Sequence, residues 1–200
     1  MVWDRLSGLY DLFETVYNGK CYKNSAKEIE KYVNENDNVL ECACGTGILS
    51  VPMAKKCCHL TATDYSDGML KQARKKLKKY SNATVEKESI LELSYPDNTF
   101  DLVVAANVIH LLDEPEKALG ELRRVCKEGG RMVIPTYINK SKPEATRGAK
   151  FVSKLGVSFA REFDIETYKK FFSDLGYENV EYSVVDGRMP CAFALIKEGK

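Results

Sequence analysis

The sequence predicts an α/β domain: a doubly wound, mostly parallel seven-stranded sheet with helices on both faces and an antiparallel hairpin at its C-terminal end. Three observations carry this. From residue 38 onward, short apolar runs alternate with amphipathic ones, the pattern of parallel strands joined by crossover helices. The first of these runs, VLEC at 39–42, meets a glycine-bearing turn at the sheet edge where open parallel sheets form their ligand crevice. The last two runs are separated only by VDGRMP, whereas a parallel crossover needs about a dozen residues or more.

The elements follow in order. WDRLSGLYDLFETVYNGK places Leu9, Leu12, Phe13, Val16 and Tyr17 at helical spacing, and a second helix is expected from Ala26 to Val33, ended by NENDN. A strand from Val39 to Cys42 leads into a helix expected to start at Gly47, followed by a strand from Leu60 to Thr63. The next helix, Asp67 to Tyr80, turns Leu70, Ala73, Leu77 and Tyr80 inward and leaves its cations as a solvated face. A short strand, Thr84 to Lys87, precedes the apolar run FDLVVAANVI at 100–109. Asp113 and Glu116 have capping-box spacing around Pro115, the stripe Ala118, Leu119, Leu122, Val125 and Cys126 predicts a buried helix face, and Gly129 and Gly130 are expected to stop it. RMVIPTY, 131–137, reads as the next strand. Residues 138–162 interrupt the alternation and form a candidate lid. A helix from Asp164 to Leu175 and strands Val180–Val185 and Cys191–Ile196 complete the chain. The whole of 1–200 reads as one domain, with a helical cap (1–37), a ligand-binding core (38–137), an insertion (138–162) and a C-terminal helix and hairpin (163–200).

Composition narrows the functions. With 44% hydrophobic and 30% charged residues and a net charge of +1, the chain has no global drive toward nucleic acid or anionic lipid. No apolar run approaches the ~20 residues that span a bilayer. Residues 1–20 lack the basic start and unbroken apolar centre of a signal peptide, so a cytoplasmic protein without stable membrane insertion is expected. The seven cysteines are scattered and odd in number, which suits small buried hydrophobes in a reducing compartment. Cys42 and Cys44, one residue apart on a strand, are expected to share a face. They read as packing residues, and no metal is expected; a thiophilic substrate is the alternative.

The turn itself is informative. A dinucleotide fingerprint needs GxGxxG, but here Ala43, Gly45 and Gly47 are followed by Ile48, and the acid Glu41 precedes the turn. An acid there is unfavourable beside a pyrophosphate and suits a ligand with cationic groups. S-adenosylmethionine carries an ammonium, a sulfonium and a carboxylate together with ribose and adenine. A second acid, Asp64, closes the next strand 17 residues after Gly47, near the ~20-residue offset at which a carboxylate accepts from ribose hydroxyls.

Over about residues 1–136 the chain resembles the class I S-adenosylmethionine-dependent methyltransferases. Their first motif, an acid followed by GxGxG, is matched by Glu41, Gly45 and Gly47 with Ala43 in place of the first glycine. The resemblance assigns Asp64 to the ribose and Tyr65, Met69, Ser89 and Ile90 to the adenine; the family often has Asp where this chain has Ser89. ESILELSYPDNTFDLVVAANVIHLLDEPEKALGELRRVCKEGGRMVI resembles the later motifs of the small-molecule branch, and WDRLSGLYD the start of the quinone C-methyltransferases, which makes Tyr10 a cofactor-facing candidate. Thr46 and Asn107 join the cofactor set. His110 is the candidate general base, with packing as its other reading. Tyr137, Arg147, Phe151, Phe159 and Arg188 lie on segments expected to surround a substrate. The place where base-amino methyltransferases carry Asn-Pro-Pro-Tyr holds AANV, so no nucleic-acid partner is expected. The resemblance implies transfer of a methyl group to a small-molecule acceptor by in-line displacement, leaving S-adenosylhomocysteine. A lipid-linked quinone, a phospholipid, a thiol or arsenite are alternative acceptors, and a non-catalytic cofactor-binding protein is the alternative of another class.

Overall fold

Val39, Leu40, Glu41 and Cys42 are all buried, because the strand they form is central in the sheet and covered on both faces. The computed structural model describes residues 2–139 and 160–199. The chain runs α1 (Val2–Tyr32), β1 (Asn38–Cys42), α2 (Ser50–Ala54), β2 (His59–Asp64), α3 (Asp67–Leu77), β3 (Ala83–Lys87) and β4 (Phe100–Ala105). A 3-10 turn (Ile109–Leu111), α4 (Pro115–Val125), β5 (Cys126–Tyr137), α5 (Ile165–Asp174), β6 (Val180–Val185) and β7 (Cys191–Lys197) follow. The strand order is β3-β2-β1-β4-β5-β7-β6. The first five strands are parallel and β7 runs antiparallel to both β5 and β6, the predicted mixed sheet with its terminal hairpin.

Alternation along the strands divides the core into two layers. Leu40, Val103, Met132 and Ala194 face α4 and α5, whereas Val39, Leu102, Val133 and Phe193 face α1, α2 and α3. The α5 side is aromatic: Tyr168 and Phe172 are fully buried with ring centroids 5.1 Å apart, edge to face, and the Tyr168 hydroxyl donates to the Ile134 carbonyl. Asp164 caps α5 by accepting from the Thr167 N–H at 2.8 Å, while the Thr167 hydroxyl accepts from the Asp164 N–H at 2.9 Å.

Several boundaries differ from the sequence expectation. The two N-terminal helices are joined into α1, kinked at Asn18 (φ −128°, ψ 23°), whose amide leaves the helix pattern to bond both backbone groups of Met189 in the β6–β7 turn. Beyond the kink, Cys21, Ser25, Ile29 and Val33 recur every fourth residue and are buried against the sheet. Val16, expected in the apolar stripe, is 71% exposed; the side chains of Leu9, Leu12, Phe13 and Tyr17 lie outside the described residues. The run 100–109 is too long for one strand, because Asn107 takes a left-handed φ of 55° and the chain then enters the 3-10 turn. No capping box forms at α4: Pro115 fixes the first turn, so Glu114 is the N-cap and its side chain makes no capping bond. α4 ends at Val125, ahead of Gly129 and Gly130, because Cys126 is already extended and pairs with Phe100. No helix among the described residues is long and apolar enough to cross a membrane.

Candidate functional site

β1 and β4 are neighbours in the sheet but not in sequence, so the chain leaves their C-terminal ends in opposite directions and opens a crevice there. A cavity of about 260 Å³ occupies it. Its floor is the turn after β1. Ala43 and Gly45 take left-handed φ of 53° and 57°, as does Gly47 at 78°. This breaks the strand's alternation, so Cys42 and Cys44 pack into opposite layers rather than sharing a face as expected. Gly45 lines the cavity with open space where a Cβ would stand. Gly47 serves packing instead: a Cβ there would lie 3.0 Å from the Ala73 Cα of α3. α2 starts at Ser50, not at Gly47, and has only five residues, so no long helix terminus faces the crevice; the turn's N–H groups are spent inside the protein, Cys44 donating to the Thr63 carbonyl at 2.8 Å and Gly47 to the Cys44 carbonyl at 3.0 Å.

Three acids line this cavity, one from the end of each of three adjacent parallel strands. Glu41, on β1, is 1% exposed and accepts a short hydrogen bond from the Ser50 hydroxyl. Burial pushes its carboxyl up to about 8, opposed by the Ser50 bond and reinforced by the nearby Asp64. Asp64, ending β2, accepts from the Gly45 N–H at 2.9 Å and the Ser66 N–H at 2.8 Å; burial raises its pKa against these two bonds. It therefore ties the glycine turn to the loop after β2. Glu88, just past β3, lines the cavity and accepts from the Ser94 hydroxyl at 2.5 Å. Ser89, the expected adenine contact, is absent from that lining and its hydroxyl accepts from the Leu91 N–H at 3.3 Å.

Of the other expected cofactor residues, Thr46, Tyr65, Met69, Ile90 and Asn107 line the cavity with Ala43. Tyr65 is 56% exposed and stands at the rim, with the Lys87 ammonium 5.8 Å from its ring centroid. Asn107 is fixed by its N–H to the Pro135 carbonyl at 2.8 Å. The side chain of Tyr10, with Arg147, Phe151 and Phe159, lies outside the described residues. His110 is 5% exposed and is not among the lining residues; its Nδ1 pairs with Thr136 Oγ1 at 2.9 Å, and burial lowers its pKa to about 4. That is the environment of a neutral core imidazole. Tyr137 and Arg188 also stand outside the lining, the former paired in register with Cys191 and the latter exposed in the β6–β7 turn.

Trp3, Tyr22, Leu111 and Leu112 line the cavity without having been singled out in the sequence. Leu111 ends the 3-10 turn and Leu112 follows it, both held by Arg161, which donates to the Leu112 carbonyl at 2.8 Å and through its N–H to the His110 carbonyl at 3.2 Å. Glu88 had a legible signal, since it follows β3 as Asp64 ends β2. Trp3 and Tyr22 had none, because their place depends on how α1 kinks. Three buried cysteines are unsuited to nucleophilic work: burial pushes the Cys42 thiol up to about 12, Cys57 to about 11 and Cys126 to about 12. Among the described residues no three or more His, Cys, Asp or Glu converge as a metal site would require.

The donor set fits S-adenosylmethionine. Carboxylates suit a ligand bearing an ammonium, a sulfonium and ribose hydroxyls, the glycine turn allows close backbone approach, and Tyr65, Met69 and Ile90 offer apolar surface to a flat base.

Comparison with known proteins agrees. Residues 40–134 match the family model described as a methyltransferase domain. The chain is 34% identical over 128 residues to a phosphatidylethanolamine N-methyltransferase of Cereibacter sphaeroides, covering 62% of this chain and 63% of that protein. It is 33% identical over 149 residues to a demethylmenaquinone methyltransferase of Listeria welshimeri, covering 71% of this chain and 62% of the relative. The chain thus spans about three fifths of the length of these curated relatives. Among solved structures, a possible histamine N-methyltransferase of Thermotoga maritima superposes with a TM-score of 0.76 at 20% identity, over 98% of this chain and 99% of that one, a likeness of fold. Sheet order, the acid-flanked glycine turn and the matches over the core together give this chain the fold of the class I S-adenosylmethionine-dependent methyltransferases, with residues 40–134 matching a methyltransferase domain.

Proposed function

We propose that the protein binds S-adenosylmethionine in this cavity and transfers its methyl group to a small-molecule acceptor. The observation that carries the reading is the convergence of Glu41, Asp64 and Glu88 on one cavity beside a glycine turn. When bound, S-adenosylmethionine supplies an electrophilic methyl on its sulfonium. The chain's own task is then positional. Glu41 orients the cationic methionine end, Gly45 admits it, Asp64 accepts from the ribose, and Tyr65, Met69 and Ile90 enclose the adenine. Trp3, Tyr22, Leu111 and Leu112 exclude water from the acceptor side, where proximity and desolvation supply most of the rate. A dedicated base is not required, and His110, neutral and outside the lining, supports that economy.

A lipid-linked acceptor is the second reading. It is supported by the apolar acceptor wall and by the printed functions of the two curated relatives. The test is calorimetric titration with S-adenosylmethionine on wild type and Asp64→Ala, followed by an acceptor screen with and without phospholipid vesicles. Binding should weaken at least about tenfold in the variant, the worth of one or two hydrogen bonds to a charged acceptor. Absence of binding in wild type refutes the cofactor assignment. Turnover confined to vesicle-borne acceptors selects the second reading.

A further inference from the structure

The loop after β2 is held from outside the crevice by the start of α1. Asp4 Oδ1 accepts from the Ser66 hydroxyl at 2.7 Å and from the Gly68 N–H at 2.9 Å. Ser66 is itself the N-cap of α3, accepting from the Met69 N–H at 3.2 Å. Asp4 therefore caps the cap, satisfying a first-turn N–H that Ser66 leaves free. Packing leads independently to the same contact: a Cβ on Gly68 would lie 2.8 Å from the Asp4 Cα and 2.9 Å from its carbonyl oxygen. Gly68 does not have positive φ, so glycine there makes room for α1 rather than relieving the backbone. The Ser66 bond and the Gly68 N–H hold the Asp4 carboxyl down at about 2, keeping it charged.

Each partner of this contact adjoins the cavity. Trp3 precedes Asp4 and lines the cavity, while the Ser66 N–H bonds Asp64 Oδ1 at 2.8 Å. We propose that Asp4 is a positioning residue for the cofactor site, a latch that docks the start of α1 on the β2–α3 loop. It holds Trp3 over the cavity and Asp64 in its orientation, and it must open for the cofactor to exchange. This rests on the cofactor reading above.

Trp3 is the single tryptophan of the chain, so its emission reports the latch directly. The experiment follows S-adenosylhomocysteine dissociation by stopped-flow Trp3 fluorescence in wild type, Asp4→Ala, Asp4→Asn and Gly68→Ala, with binding checked by calorimetry. Asp4→Ala should speed dissociation about tenfold or more, the factor expected for a hydrogen bond to a charged group, and red-shift Trp3 emission well below the melting temperature. Gly68→Ala should act in the same direction. Asp4→Asn, which keeps an acceptor oxygen, should recover part of the loss. If Asp4→Ala and Asp4→Asn are folded and match wild type in dissociation rate and emission, the latch is refuted while the cofactor reading stands. If wild type fails to bind S-adenosylhomocysteine by calorimetry, both readings fall.

Discussion

Glu41 and His110 are buried titratable groups pushed in opposite senses, and together they shape how stability depends on pH. Glu41 keeps its proton in the fold up to about 8, whereas the unfolded chain loses it near 4.5. Between those values the folded state holds the extra proton, so stability falls as pH rises, by about 1.4 kcal/mol per pH unit. His110 is neutral in the fold above about 4, whereas the unfolded chain stays protonated up to 6.5. There the unfolded state holds the extra proton, and stability rises with pH at the same rate. From 4.5 to 6.5 the two cancel. From 6.5 to 8 the His110 gain has ended, and Glu41 contributes a loss of about 2 kcal/mol. Urea unfolding followed by circular dichroism from pH 5 to 8.5 should thus show a plateau and then a decline, ending before the buried thiols add their own loss near 9. Glu41→Gln keeps an acceptor for Ser50 but cannot ionise. Its stability should rise by about 2 kcal/mol from pH 5 to 6.5, the His110 contribution alone, and then level. Parallel wild-type and variant profiles would refute the assignment of Glu41 as a buried acid that resists ionisation.

Other perturbations test the turn and the core. Ala43 holds a left-handed φ that costs a residue with a Cβ about 1–2 kcal/mol, part of which glycine would return as unfolded-state entropy. Ala43→Gly should therefore gain roughly 0.5–1 kcal/mol in chemical denaturation, and a clear loss would mean that the methyl group packs favourably. Tyr168→Phe leaves the buried Ile134 carbonyl without its hydroxyl partner and should cost about 1–3 kcal/mol, read as a lower urea midpoint with unchanged slope. An unchanged midpoint would show that the carbonyl finds water.

The alternating sheet and the acids at its edge were readable because both depend on short-range pattern. Apolar runs of strand length announce β1, β2 and β4, and a carboxylate at a strand's end is visible as Glu41 and Asp64. What failed depended on single backbone angles or on long-range docking. Cys42 and Cys44 follow a correct periodicity rule that Ala43's left-handed φ overrides. The resemblance assigns Ser89 to the adenine by its motif position, but which of two consecutive side chains enters the cavity is set by where β3 stops. His110 carries the right residue type for a base, yet pairing with Thr136 on β5 holds it in the core. Trp3 reaches the cavity only because a kinked helix returns to the β2–α3 loop 62 residues away, as the Asp4–Ser66 bond records.

The placing of β7 between β5 and β6 also constrains the order of assembly during synthesis. β6 leaves the ribosome before β7, its partner among the described strands, and β5 waits with one edge open for the same partner. A nascent chain that has reached residue 190 therefore holds every cavity-lining residue found in the fold but still lacks the strand that seals the sheet. Ligand could stabilise such an intermediate only after the crevice half, β1 to β4, had already formed.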